Sequence, residues 1–162
     1  MPFTLFHLGP GLAFKAVGGR HFSFMVFGGS QVLMDIEPLV GIIQGRPILH
    51  GITHTVAGAL VIGLVSGAIG RPIAELALGL MRIRHRPITW AVAFASGLIG
   101  TYSHIGLDAI MHHDMTPLWP LATGNGMLRS MSLGQLHMLC LAAGILGGLV
   151  IAVRAFLSRA KS

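Results

Sequence analysis

Acidic residues are scarce in this 162-residue chain: five Asp and Glu stand against 11 Lys and Arg. Charged residues of both signs make up only 10% of it, while 53% is hydrophobic and the mean hydropathy is +0.76. So little charge cannot cover an ordinary water-soluble domain. A single cysteine, Cys140, excludes an intramolecular disulfide, and its place in an apolar run leaves redox compartment undecided. Aromatics are few, at 7%, and no basic stripe interleaves with them, so the formal charge of +6 does not indicate nucleic acid. The segment before Pro10-Gly11 lacks a basic start, and no cleavable signal peptide is expected. Neither an internal repeat nor a low-complexity tract is present, and residues 1–162 read as one domain.

What the chain does have is long apolar runs. Four are long enough to cross ~30 Å of hydrocarbon at ~1.5 Å per helical residue: roughly Phe22 to Ile43, Ile52 to Gly70, Ile88 to Ile110 and Ser132 to Val153. The expected fold is therefore all-α, a polytopic membrane bundle of about four transmembrane helices plus an N-terminal re-entrant or interfacial segment. Pro72 to Met81, with Glu75 amid apolar residues, is expected to form a short interfacial helix. Pairs of small residues at Gly41/Gly45, Gly63/Gly67 and Gly144/Gly148 have the spacing that lets membrane helices approach closely.

Basic residues between these runs are distributed unevenly. Lys15, Arg20, Arg71, Arg82, Arg84, Arg86, Arg154, Arg159 and Lys161 fall on one side, and only Arg46 and Arg129 on the other. By the positive-inside rule the first side is cytoplasmic. The acids and histidines then gather toward the outer side, a result the charge count did not presuppose.

Charged groups within a span are expensive and need a partner or a cavity. Asp35 and Glu37 are two such groups, and Pro38 is expected to break the helix there so that both carboxylates turn toward one centre; the blander reading is one helix–helix polar contact beside a kink. His50 and His54 stand at i,i+4, a spacing that places two imidazoles on one helix face, with Thr53 beside them. Taken alone, such a pair is more often hydrogen-bonding glue between helices than a set of ligands. His104 and Asp108 repeat the spacing, with His112 one turn further and His113 and Asp114 beyond. His7 precedes a reversal at Gly18-Gly19-Arg20 by about as many residues as separate that reversal from Asp35, so a re-entrant half-helix would bring it level with Asp35; an interfacial histidine is the alternative. His137 is expected to orient a ligand or bridge helices, and His21 and His85 to lie at the basic interface.

Imidazoles and carboxylates together suit a divalent metal such as zinc, with manganese as an alternative. The expected ligands are His7, Asp35, Glu37, His50, His54, His104 and Asp108, enough for two ions. Glu37 or Asp114 is the expected general base for a metal-activated water.

The order of these motifs resembles a family of bacterial inner-membrane-bound metal-dependent hydrolases. Its pattern of an early histidine, an acidic motif, a histidine shortly ahead of Thr-His, Ser-His-x-x-x-Asp and a downstream Pro-Leu-Trp-Pro-like segment resembles His7, Asp35-Ile36-Glu37-Pro38, His50 with Thr53-His54, Ser103-His104 with Asp108, and Pro117-Leu118-Trp119-Pro120. The match spans roughly residues 7 to 120. Two departures stand out: Glu37-Pro38 replaces an Asp-His-Pro sequence, and Gly51 follows His50 where an arginine is common. That family resembles, distantly, the all-helical zinc phospholipase C and single-strand nuclease fold. The resemblance implies hydrolysis of an ester or phosphoester in a lipid or lipid-linked substrate, at the periplasmic side of the inner membrane, with no nucleic-acid partner. Two other functions fit the residues: a proton or divalent-cation transport component, and a non-catalytic scaffold stabilised by metal. A transporter needs polar groups toward the inner face, and there the second to fourth spans are read as mainly apolar residues and glycine.

Overall fold

The computed structural model describes residues 5–83 and 85–160, so Arg84 and Lys161 of the basic side lie outside it. Among these residues there are five α-helices and no strand: α1 (Leu8–Gly18), α2 (Phe24–Ile43), α3 (Val56–Leu80), α4 (Trp90–Met111) and α5 (Leu133–Arg159). Each of the four long helices starts on a hydroxyl that accepts a first-turn N–H. Ser23 accepts from Val26, Thr55 from Gly58 and Thr89 from Val92, while Ser132 and Gln135 form a reciprocal capping box. Helix α2 ends at Ile43, and Gly45, whose φ is +64, lets the Arg46 and Gly45 N–H groups return to the Gly41 and Ile42 carbonyls.

These boundaries alter three expectations. Thr55 delays α3, so His50 and His54 are not on one helix face; His54 ends a 3-10 turn (Ile52–His54) and His50 lies in the preceding loop. Pro38 does not break α2, which runs on to Ile43 with the buried Pro38 inside it. Pro72 likewise sits inside a continuous α3, and the separate interfacial helix is absent. A proline costs a helix one hydrogen bond but does not end it where packing holds the flanking turns.

A three-residue 3-10 turn (Gly19–His21) reverses α1 into α2. Helix α1, about 16 Å long, packs parallel to α5: Gly9 lies against Cys140 and Gly144, and Leu12 and Ala13 lie against Gly147. Gly147, not Gly148, makes that close approach. Helices α3 and α4 form an antiparallel hairpin in which Gly63 meets Leu98 and Gly67 meets Phe94. Helix α2 runs alongside α4 and antiparallel to α3, sealed by Met34, Ala59, Ile105, Ala109 and Met115 toward one end and by Val26, Ala74, Ile88 and Ala93 toward the other. The start of α1, the end of α2, the start of α3 and the end of α4 thus converge on one end of the bundle.

By length and hydropathy, three of the described helices, α2, α3 and α5, could cross a membrane. Helix α4 is long enough but carries Ser96, Thr101, His104 and Asp108, all buried against its neighbours. The interior is also less purely apolar than expected toward the basic end: Ser23, Ser30, Ser66 and Ser96 are buried there. These hydroxyls are engaged locally, Ser30 with the Phe27 carbonyl, Ser66 with that of Ile62, and Ser96 with the Ser23 N–H.

Candidate metal centre

Asp108, in the last turn of α4 and 3% exposed, is the hub of the converging end. Its Oδ1 lies 3.1 Å from His7 Nε2 and 3.9 Å from His112 Nε2; its Oδ2 lies 3.1 Å from His104 Nε2, 3.7 Å from His54 Nε2 and 3.9 Å from His50 Nε2. Five imidazoles from three segments of the chain therefore face one carboxylate. Asp35 approaches His104 Nε2 at 3.4 Å from α2. The rings support one another: His7 stacks on His104 and His50 on His112, with centroids 4.6 and 4.1 Å apart.

The other nitrogen of three of these rings fixes which way the lone pair points. Gln31, wholly buried, donates its amide N–H to the Gly100 carbonyl at 2.9 Å, so its Oε1 is the acceptor for His104 Nδ1 at 2.8 Å. Thr53 donates its hydroxyl proton to Glu37 Oε2, which leaves Thr53 Oγ1 to accept from His54 Nδ1 at 3.0 Å. Asp114 Oδ1 accepts from His50 Nδ1 at 2.9 Å, while its Oδ2 takes the Leu49 and His50 backbone N–H groups. In each neutral ring the Nδ1 then holds the proton and Nε2 presents a lone pair to Asp108. Histidines that bind metals are oriented in this way.

This arrangement leaves a deficit. His54 Nε2, His104 Nε2 and His7 Nδ1 are buried without a hydrogen-bond partner. Buried polar atoms are rarely left so, and the His54 and His104 Nε2 lone pairs that face the Asp108 carboxylate are repelled by it unless a proton or a metal cation lies between them. Among the described residues, two groups of side chains could hold a metal ion: Asp35, His54, His104 and Asp108, and His50, Asp108 and His112, each with its ligand atoms within 4.8 Å of one another. Asp108 belongs to both. The donor set, imidazole nitrogen with carboxylate oxygen, fits a borderline divalent ion.

Of the residues expected as ligands, His7, Asp35, His50, His54, His104 and Asp108 meet in this cluster. Glu37 lies one step out: its Oε2 accepts the Thr53 N–H at 3.1 Å as well as the hydroxyl, and stands 3.6 Å from His54 Nδ1. Asp114 is similarly spent on His50 and the loop backbone. Burial works to raise its carboxyl, but the Leu49 N–H, the His50 imidazole and the His50 N–H outweigh it and hold it down at about 2. Burial lowers the half-buried His112 imidazole from its ordinary range. His137 stacks on Phe6 instead of entering the cluster, with centroids 4.2 Å apart. Gln31 is the residue the sequence reading passed over; a lone amide deep in an apolar run was the available signal.

The cluster opens beside a cavity of about 150 Å³ lined by Pro38, Ile42, Leu49, His50, His112 and Asp114. Compared with family models, with curated proteins and with solved structures, the chain matches none.

Proposed function

We propose that this chain is an inner-membrane metal-dependent hydrolase that cleaves an ester or phosphoester of a lipid or lipid-linked substrate. Four helices, α2 to α5, cross the bilayer and α1 is re-entrant, with the basic end cytoplasmic and the histidine cluster toward the outer side. The observation that carries this reading is the pair of buried, unpartnered imidazole nitrogens, His54 Nε2 and His104 Nε2, aimed at Asp108. The resemblance of motif order to membrane-bound hydrolases points the same way.

His54, His104, Asp108 and Asp35 would hold the first ion, and His50 and His112, sharing Asp108, a second. A divalent ion in this cage supplies Lewis acidity and makes hydroxide available at neutral pH. The protein's own part is positional. Gln31, Thr53 with Glu37, and Asp114 each hold one imidazole in its working tautomer. His112, half-buried, lines the cavity and would set the second ion at its edge. Pro38, Ile42 and Leu49 give that cavity an apolar wall next to the exposed Leu39 and Ile43, which suits a substrate arriving from lipid.

Transport finds less support, because the buried groups toward the basic end are, among the described residues, serine hydroxyls already bonded within the bundle, with no titratable chain among them. The test is metal analysis of purified protein with hydrolysis of short-chain phospholipids and bis-aryl phosphate. Stoichiometric zinc or manganese, with turnover lost in His54→Ala and His104→Ala, supports the reading. Absence of retained metal, or unchanged activity in both variants, defeats it.

A further inference from the structure

The opposite end of the bundle holds a second cavity, of about 410 Å³, between the α1–α2 turn and the loop leading into α4. Its cations are Lys15, Arg20 and Arg86, with His85 beside them, and no carboxylate lines it among the described residues. Lys15 is fixed in place: its Nζ donates to the Gly19 and Phe22 carbonyls at 2.8 and 2.7 Å, leaving its third proton for another acceptor. The nearest acid, Glu75, is committed to the Ile88 N–H and to His85 Nε2. The floor is apolar, formed by Phe22, Leu78 and Val92 among others.

At Met25 this cavity meets a separate groove of about 270 Å³ that runs between α2 and α3 past Val32, Ile69 and Ile73. That groove is almost wholly apolar in its lining, and Gly29 leaves it open, since a Cβ added there would touch nothing. A cationic recess and an apolar groove along two candidate membrane spans, adjoining at Met25, match the two halves of one molecule. A free anion would need only the recess.

We infer that the basic end is a binding site for one anionic phospholipid, with its phosphate headgroup among Lys15, Arg20 and Arg86 and an acyl chain along the α2–α3 groove. Basic recesses between membrane helices on the cytoplasmic side take anionic headgroups for the same electrostatic reason. This site rests on the membrane insertion proposed above but not on the metal cluster, which lies at the other end of the bundle.

Native mass spectrometry of detergent-purified full-length protein tests it, with titration by dioleoylphosphatidylglycerol, dioleoylphosphatidylcholine or inorganic phosphate. Phosphatidylglycerol is expected to be retained in preference to phosphatidylcholine. Arg20→Gln and Arg86→Gln, both at exposed positions, should each weaken that retention roughly fivefold, and Gly29→Leu should weaken it by filling the groove. Millimolar inorganic phosphate should leave the lipid bound. Equal retention of the two lipids, or a preference that survives the Arg20→Gln/Arg86→Gln pair, overturns the site, and displacement by inorganic phosphate reassigns the recess to a free anion. Metal content measured on the same samples keeps the two proposals apart: it should not change in any of these variants.

Discussion

Each end of the bundle carries a histidine–carboxylate pair at nearly the same distance. His85 Nε2 stands 3.0 Å from Glu75 at the basic end, and His104 Nε2 3.1 Å from Asp108 at the other. Their settings differ completely. His85 is on the surface, and both of its nitrogens are satisfied, one by Glu75 and one by the Ile83 carbonyl. His104 is fully buried, its Nδ1 is taken by Gln31, and its Nε2 has no hydrogen-bond partner among four other imidazoles and two carboxylates. Proximity of an imidazole to a carboxylate therefore says little; burial with an unsatisfied nitrogen separates a candidate metal site from a surface contact.

The largest effect is expected from removing a nitrogen of the buried cluster. His104→Ala or His54→Ala should abolish stoichiometric metal retention, measured by plasma mass spectrometry on purified protein, whereas His85→Ala should leave it unchanged. Next come the residues that only orient. Gln31→Leu and Thr53→Val should each weaken metal affinity about 10–100-fold in chelator competition while the protein stays folded, the cost usually seen when a partner of a ligating histidine is lost. If Gln31→Leu leaves affinity intact, the tautomer assignment of His104 is wrong.

Much of this contrast was legible in the chain itself. Four long apolar runs announce the four long helices, and the spacing of His7 about Gly18-Gly19-Arg20 anticipates that α1 would fold back beside α2. The roles within the cluster were less legible. Gln31 acquires its meaning only through His104, 73 residues later. Glu37 and Asp114 look like ligand or base in the sequence because carboxylates are scarce, yet each is held by backbone and side-chain donors that only the folded loop around residues 49–53 supplies. That loop is itself hidden in the pattern, since Ile52 reads as the start of a span until Thr55 is recognised as the cap of α3.

Smaller effects concern pH. Asp114 ties the His50 loop to the end of α4, and its carboxyl is held at about 2 against an ordinary 3.8. A depressed acid stabilises above its ordinary value and loses that contribution as pH falls through the depressed one. The melting-temperature gap between wild type and Asp114→Asn should therefore be constant above about pH 5 and close as pH falls from 3.8 toward 2. The smallest effect belongs to His85, whose imidazole is raised above its ordinary 6.5 by the Ile83 carbonyl and then Glu75. A raised base stabilises below its ordinary value and loses that contribution as pH rises through the raised one. Wild type should thus lose slightly more thermal stability than His85→Ala as pH rises from 6.5; an equal loss in both would show the surface pair to be inert.

Zinc X-ray absorption on the purified, zinc-loaded protein decides whether the buried imidazole nitrogens around Asp108 bind a divalent ion. One or two retained ions are expected, with a nitrogen and oxygen shell at ~2.0–2.2 Å and multiple scattering from at least two imidazoles, lost in His54→Ala/His104→Ala. Zinc that washes away, or a shell without imidazole scattering, would contradict such binding.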